Sequence, residues 1–474
     1  MTRGRLVVHA HFYQPARVDP FTGEVPPDPN AAPYRDWNER IAAECYRPNA
    51  ERGTIARISW NLGPTLADWL ASADSQTYRR FIAADAGAPD GPAPTAIAQA
   101  YHHTILPLAP AHDRRTEIRW GVRDFELRFG RRPEAMWLPE TAVDRATLRA
   151  LAEAGIRGTI LAPWQAQEPA VDTRRQYRVE LGGGRSIVVA FYDAGLSAAV
   201  SFDPSATSDA DRFARERIGP RLGSPLPGGV APIVVIATDG ELYGHHQAFR
   251  DLFLQRLVAP GPGEPDRGFD VTTFAALLRE PVVHPPIHVR DRTSWSCHHG
   301  VQRWTGECPD VPDGRWKGPL RAAIERLAAG IDTLTEEACR GMPGRPDPWA
   351  ARDDWIEVVH GVEPAAAFSA RWLGEDGPPE ERRRFEQLLA AQRWRLAMFA
   401  SDGWFWDDPV RIETRQVLRA AARAARLTAA VTGVDLERRL LADLALLESP
   451  STRVDGSVIY RQALAEIGQP PPAR

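Results

Sequence analysis

Through the first half of the chain, short β-branched runs alternate with longer amphipathic stretches, the pattern of parallel strands joined by helical crossovers. Runs at 5–10, 55–60, 135–138, 158–162, 187–191 and 233–238 are read as strands. Four of them end directly in residues that carry chemistry: His9 and His11, Asn61, Glu140, and Asp239 with Glu241. In a parallel α/β barrel the loops that follow the strands gather at one face and build the active site there. The chemically rich residues of this chain thus fall where such a fold reacts.

A length of 474 residues exceeds one ordinary core but suits a barrel with an added region. After about residue 315 the strand signals fade, and 320–339, 380–400, 412–432 and 436–447 carry apolar residues at helical spacing. The reading is a catalytic unit over 1–314 and a helical C-terminal domain over 315–474 that completes the cleft. The Pro- and Gly-rich 341–347 is a turn between helices, and QPPPAR at 469–474 a frayed tail. With 58 Lys and Arg against 62 Asp and Glu, the chain offers no general field for nucleic acid or an anionic membrane, so a neutral substrate is expected. Cys45, Cys297, Cys308 and Cys339 are too few and irregular for a disulfide framework. No apolar run reaches the length of a signal-peptide core or a membrane span, and the protein is read as cytoplasmic.

MWLPETAV at 136–143 puts Glu140 just beyond a short apolar run and a proline. VVIATDGELYGHH at 234–246 does the same for Asp239, with Gly240 allowing a sharp turn. Two carboxylates from two strand ends can face one mouth, as retaining glycosidases require at a separation of about 5–5.5 Å. An Asp and a Glu also serve as helix caps or surface ion pairs, and Glu241 competes with Asp239 as the acid. In HAHFYQP at 9–15, His9 and His11 lie on the same side of a strand and suit sugar hydroxyls, a metal, or plain burial on backbone carbonyls. AYHHTILPLA at 100–109 adds His102 and His103. In CHHGVQRWTGEC at 297–308, two Cys and two His are soft-metal ligand types, but their spacing fits no standard zinc finger, so no metal is expected there.

Taken together, HAHFYQP, HHTILPL, MWLPETAV and ATDGELYG, in this order, resemble the motifs of glycoside hydrolase family 57, and the helical part resembles an unassigned C-terminal domain found with a subset of that family. The resemblance covers about residues 5–310. It implies an α/β fold, an incomplete (β/α)7 barrel followed by a helical C-terminal domain, with Glu140 as nucleophile and Asp239 as general acid/base. It further implies that His9, His11, Gln14, His103, Trp137, Glu241, His246 and Trp295 bind substrate. ASDGWFWDDP at 400–409 resembles a segment that the family's helical region brings toward the barrel, making Asp402, Trp404 and Trp406 further candidates, although Gly403 interrupts the usual Asp-Trp step.

The activity so implied is a retaining, amylase-like hydrolysis of starch, glycogen or maltooligosaccharides without a cofactor or metal. Close alternatives are a 4-α-glucanotransferase or a glucan-branching enzyme. More distant ones are a metal-dependent deacetylase using His9, His11 and Asp239, and a carbohydrate-binding protein without turnover.

Overall fold

The computed structural model describes residues 3–467 apart from 260, 262–265 and 376; the 469–474 tail lies outside the described residues. Nine strands occur among them: β1 Gly4–Phe12, β2 Ser59–Leu62, β3 Ala98–Gln99, β4 Met136–Trp137, β5 Gly158–Leu161, β6 Gln176–Gly182, β7 Arg185–Phe191, β8 Ile233–Asp239 and β9 Phe269–Thr272. The apolar run of β1 is almost wholly buried, as a central parallel strand must be. It pairs in parallel with β8 from Arg5 to His11, with β9 from Gly4 to Val7, and with β2 from His9 to Phe12.

The remaining strands are linked by narrower pairings. Ile97 N–H donates to Trp60 O at 2.8 Å, tying the run before β3 to β2. β3 pairs with β4, Ala135 bridges Gly158, and β5 pairs with β7, all in parallel. Beyond β7, Asp193 N–H donates to Val235 O at 2.8 Å. Val7, Ile97, Ala135, Trp137, Ile160, Ala190 and Val235 from these segments share one hydrophobic core.

Two differences from the sequence reading have local causes. The run expected over 55–60 becomes strand only at Ser59, because Gly53 in the left-handed region (φ 72°) opens a 3₁₀ turn over Thr54–Arg57. Strand β6, antiparallel to β7, was not expected; Gly182, Gly183 and Gly184, all at positive φ, reverse the chain between them.

The chain divides into two units, Met1–Gln14, Asp28–Ala100 and Phe125–Trp295 in the first, and Pro15–Pro27, Tyr101–Asp124 and Ser296–Arg474 in the second. Where the sequence suggested one cut after 314, two earlier segments thus group with the C-terminal part. The reason is packing and charge. Tyr101 and Trp120 are buried in the second unit's core with Phe385, Leu388 and Leu389. Asp113, 3% exposed, accepts from Arg352 Nη1 at 2.9 Å and also pairs with Arg395, both guanidiniums being buried.

Helices Lys317–Gly341, Pro379–Ala397 and Ile412–Thr432 dominate this unit. The last buries five alanines between Ala420 and Ala425, small side chains that let neighbouring backbones approach, and it stops at Gly433 in the left-handed conformation suited to a helix end. No described helix is long and apolar enough to cross a membrane.

Because Asp113 is the shared counter-charge of two buried guanidiniums, Asp113→Ala is expected to cost about 3–5 kcal/mol in chemical denaturation. A loss below about 1 kcal/mol would show that the two arginines find other compensation.

Candidate active site

Glu140 follows Pro139 at the end of β4 in a left-handed conformation (φ 58°, ψ 20°), and the next residue, β-branched Thr141, also has positive φ (48°). Non-glycine residues adopt such angles only when their surroundings enforce them, at a cost on the order of 1–3 kcal/mol each. The enforcement is visible. Trp295 N–H donates to Glu140 O at 3.0 Å, and Val143 N–H to Thr293 O at 2.9 Å. The fully buried Gln165 side chain donates to Thr141 O at 2.8 Å and accepts from the Thr141 hydroxyl at 3.0 Å. Trp295 Nε1–H then donates to Glu140 Oε2 at 3.1 Å, fixing the half-buried carboxylate itself.

Asp239 ends β8, opposite His11 in the β1 register, and solvent reaches it. Crowding by the surrounding protein, and then the negative charge of Glu140, push its carboxyl up to about 7. The two acids found from sequence therefore sense one another. Gly240 is required next to it, since a Cβ there would lie 2.3 Å from the Phe12 ring.

Glu241, by contrast, is buried. Its Oε1 accepts from the Tyr46 hydroxyl at 2.6 Å and from Tyr13 N–H at 3.2 Å, and Gln14 hydrogen-bonds Tyr46 in turn. Burial raises the Glu241 carboxyl to about 8 against the opposing Tyr46 bond, with the charge of Asp239 adding to the rise.

His9 and His11 are held in a network through Asn61. Ser59 Oγ lies 3.1 Å from His9 Nδ1, and His9 Nε2 lies 3.2 Å from Asn61 Oδ1. The Asn61 amide nitrogen lies 2.9 Å from His11 Nδ1 and donates to Gln99 Oε1 at 2.7 Å. His11 Nδ1 lies within hydrogen-bond reach of both the Asn61 amide nitrogen, at 2.9 Å, and Asn61 Oδ1, at 3.2 Å, so Asn61 holds the ring in either neutral tautomer. Burial pushes both rings down, to about 3 for His9, where the neighbouring His11 adds to the effect, and about 4 for His11. Both rings are neutral at physiological pH.

Trp137 stacks on them, with centroids 4.7 Å from His9 and 5.2 Å from His11, and Trp295 meets Trp137 edge-on at 5.0 Å. Gln99 Nε2 and Trp137 Nε1 are buried donors without a hydrogen-bond partner in the structure. Unpaired buried donors are costly and call for an explanation, such as a bound group that accepts from them.

The other candidates fall elsewhere. His246 is exposed in the turn after β8, its ring 5.0 Å from His245. His103, Asp402, Trp404 and Trp406 belong to the second unit. There His103 Nδ1 is 2.7 Å from Ser401 Oγ. Trp404 is fully buried, its Nε1–H donating to Lys317 O at 3.3 Å, so it serves packing and offers no surface to a sugar. Trp406 is exposed, with the Arg411 guanidinium 4.2 Å above its ring. Asp402 is half-buried in the short Asp402–Phe405 helix. His9 is likewise fully buried and acts by holding Asn61 and Trp137. Tyr46, Gln99 and Gln165 were not found from sequence. They reach the site through tertiary packing, and nothing in their immediate sequence marks them.

Residues 95–260, a span that includes Glu140 and Asp239, match the profile of Glycosyl hydrolase family 57, and residues 313–467 match a Domain of unknown function (DUF3536). Residues 95–260 are thus similar to that family. The structure is similar to the exo-type maltose-forming amylase from Pyrococcus sp. ST04, with TM-score 0.70 and 15% identity over 97% of this chain and 88% of that one. It is also similar to the GH57 branching enzyme from Thermococcus kodakaraensis, with TM-score 0.61 and 17% identity over 96% of each chain. The α-amylase AmyC from Thermotoga maritima gives 0.60 and 14% over 97% of this chain and 98% of that one. At such identities the likeness is one of fold, an α/β core with substantial helical content. No curated protein matches the chain.

The neutral state of His9 and His11 is directly measurable. Nitrogen NMR of the imidazoles should show His9 and His11 uncharged at pH 6 and titrating only below about pH 5, following their folded values of about 3 and 4. A charged ring at pH 6 would contradict the Asn61 network.

Proposed function

We propose that this chain is a retaining glycoside hydrolase acting on α-glucans, with Glu140 as nucleophile and Asp239 as general acid/base. The observation that carries the reading is the pairing of unlike acids: Glu140 clamped by Trp295, and Asp239 solvent-accessible with its carboxyl raised to about 7 by crowding and by the charge of Glu140. A raised acid beside an ionised partner is the division of labour that glycoside cleavage needs. Glu140 forms the bond to the anomeric carbon as the glycosidic C–O bond breaks, and Asp239 gives its proton to the departing oxygen. The Asp239 carboxylate then takes a proton from water, whose oxygen displaces Glu140 and restores both groups. Neutral His11 and the unpaired amide nitrogen of Gln99 are the groups this reading assigns to sugar hydroxyls.

The names of the structural neighbours, amylases and a branching enzyme, favour an α-glucan over other glycosides. The succession of pairings from β1 through β2, β3, β4, β5 and β7 to β8 supports an incomplete (β/α)7 barrel, with both acids at strand C-terminal ends as that fold places its chemistry. Transfer to a sugar hydroxyl in place of water would make the enzyme a 4-α-glucanotransferase or a branching enzyme by the same steps. A deacetylase-like metal site on His9 and His11 is disfavoured, because both His9 ring nitrogens are engaged by Ser59 and Asn61.

Product analysis on maltoheptaose tests the reading: shorter sugars alone indicate hydrolysis, longer ones transfer, and new α-1,6 links branching, while an initial β-anomer by NMR would overturn a retaining mechanism on an α-glucan. Glu140→Ala and Asp239→Ala should each lower kcat by at least roughly 10²–10⁴-fold with the fold intact by circular dichroism. A variant keeping more than about a hundredth of the rate removes that residue from its role.

A proton donor must be protonated in the free enzyme, so kcat/KM should fall as pH rises through about 7, the value to which Asp239 is raised. Glu241→Gln should retain this limb. A limb near pH 4 instead would mean that Asp239 is not the donor.

A further inference from the structure

Two tight turns in the second unit present four ligand-type side chains to one another. In the first, Gly300 N–H donates to Cys297 O at 3.2 Å with Gly300 at φ 82°. In the second, Val311 N–H donates to Cys308 O at 2.8 Å, with Pro309 as the second residue of the turn. Each turn begins with a cysteine and carries a metal-ligand type in third position, His299 in one and Asp310 in the other. The spacing Cys-x-His followed by Cys-x-Asp is not that of a zinc finger, which is why it does not announce itself in the sequence.

The ligand atoms of Cys297, His299, Cys308 and Asp310 all lie within 4.8 Å of one another. Cys297 Sγ is 3.4 Å from Cys308 Sγ, and Cys308 Sγ is 3.6 Å from His299 Nδ1. His299 Nδ1 is 3.3 Å from Asp310 Oδ2, which is 3.8 Å from Cys308 Sγ. A tetrahedron with Zn–S bonds of about 2.3 Å and Zn–N or Zn–O bonds of about 2.0–2.1 Å has edges of roughly 3.8 Å between sulfurs and roughly 3.3 Å between nitrogen and oxygen. The four separations fall close to those edges.

The surroundings agree. Both cysteines are free and buried, whereas His299 and Asp310 reach solvent, giving a dry sulfur side and an entry path. Asp310 is itself held, Oδ2 by His298 N–H at 2.8 Å and Oδ1 by His298 Nδ1 at 3.4 Å, as carboxylate ligands are from their outer shell. Lys317 supplies an independent sign. Its ammonium is fully buried without a hydrogen-bond partner in the structure, lies over the Trp316 ring, and is in electrostatic reach of both thiols. Two thiolates, one carboxylate and a divalent cation leave one net negative charge, which joins that of Asp407 in balancing the buried ammonium against the nearby Arg303.

We propose that Cys297, His299, Cys308 and Asp310 form a closed, four-coordinate structural site for a thiophilic divalent cation of the zinc class. Binding releases the two thiol protons to solvent and involves no change of oxidation state. The site pins the 297–311 segment and is separate in its residues from the proposed catalytic acids.

The test uses the full chain, stripped with chelator under reducing conditions and titrated with Zn²⁺ or Co²⁺ alone. One ion per chain is expected, with thiolate-to-cobalt charge-transfer absorption and the visible bands of tetrahedral cobalt. Cys308→Ser should at least halve the charge transfer, and Cys339→Ser should keep it. His299→Ala, which removes a solvent-reaching side chain and should leave the circular dichroism unchanged, should weaken Zn²⁺ at least ~10–100-fold, the loss already produced by disturbing outer-shell partners. No stoichiometric binding by correctly folded protein, cobalt spectra without thiolate absorption, or a Cys297–Cys308 disulfide in protein isolated from cells without added oxidant would each overturn the proposal.

Discussion

β1 is shared by three other strands. Because β8 lies against it from Arg5 to His11, β2 and β9 must divide the opposite edge between them. The same alternation that sends Val7 into the core brings His9 and His11 to the side where Trp137 stacks. A slip of one residue in this register would exchange faces, separating the histidines from Asn61 and His11 from its position opposite Asp239. The burial of β1 thus fixes the core and the geometry of the candidate site at once.

Around that strand, two neighbouring acids are kept in different environments. Asp239 is open to solvent and feels Glu140; Glu241 is buried and occupied by Tyr46 and Tyr13. Both carboxyls are raised, yet only one is placed to exchange protons with a bound molecule. Glu241 instead fastens the Tyr13 backbone, just beyond β1, to the turn that follows β8. Burial and hydrogen bonding, rather than residue type, separate the roles of two acids two positions apart.

The places of Glu140 and Asp239 at the ends of apolar strands were legible in the sequence, because an apolar run followed by a carboxylate is a local pattern. The long C-terminal helices were legible for the same reason, through their periodicity. Tyr46, Gln99 and Gln165 were not, since each acts through a partner distant in sequence and stands in surroundings that could belong to any helix or loop. The grouping of 101–124 with the C-terminal helices was equally hidden, because it rests on Asp113 meeting arginines more than two hundred residues away. The two-residue strand β3 shows the limit of periodicity, which has nothing to count over so short a stretch.

The backbone at Glu140 has a consequence for how this protein could change. Its left-handed angles suit glycine, while the proposed chemistry needs a carboxylate. At this position the interests of the folded chain and of its activity are opposed. A population of variants selected for thermal endurance alone would drift toward the residue that relaxes the turn, and the survivors would be sturdier and inert.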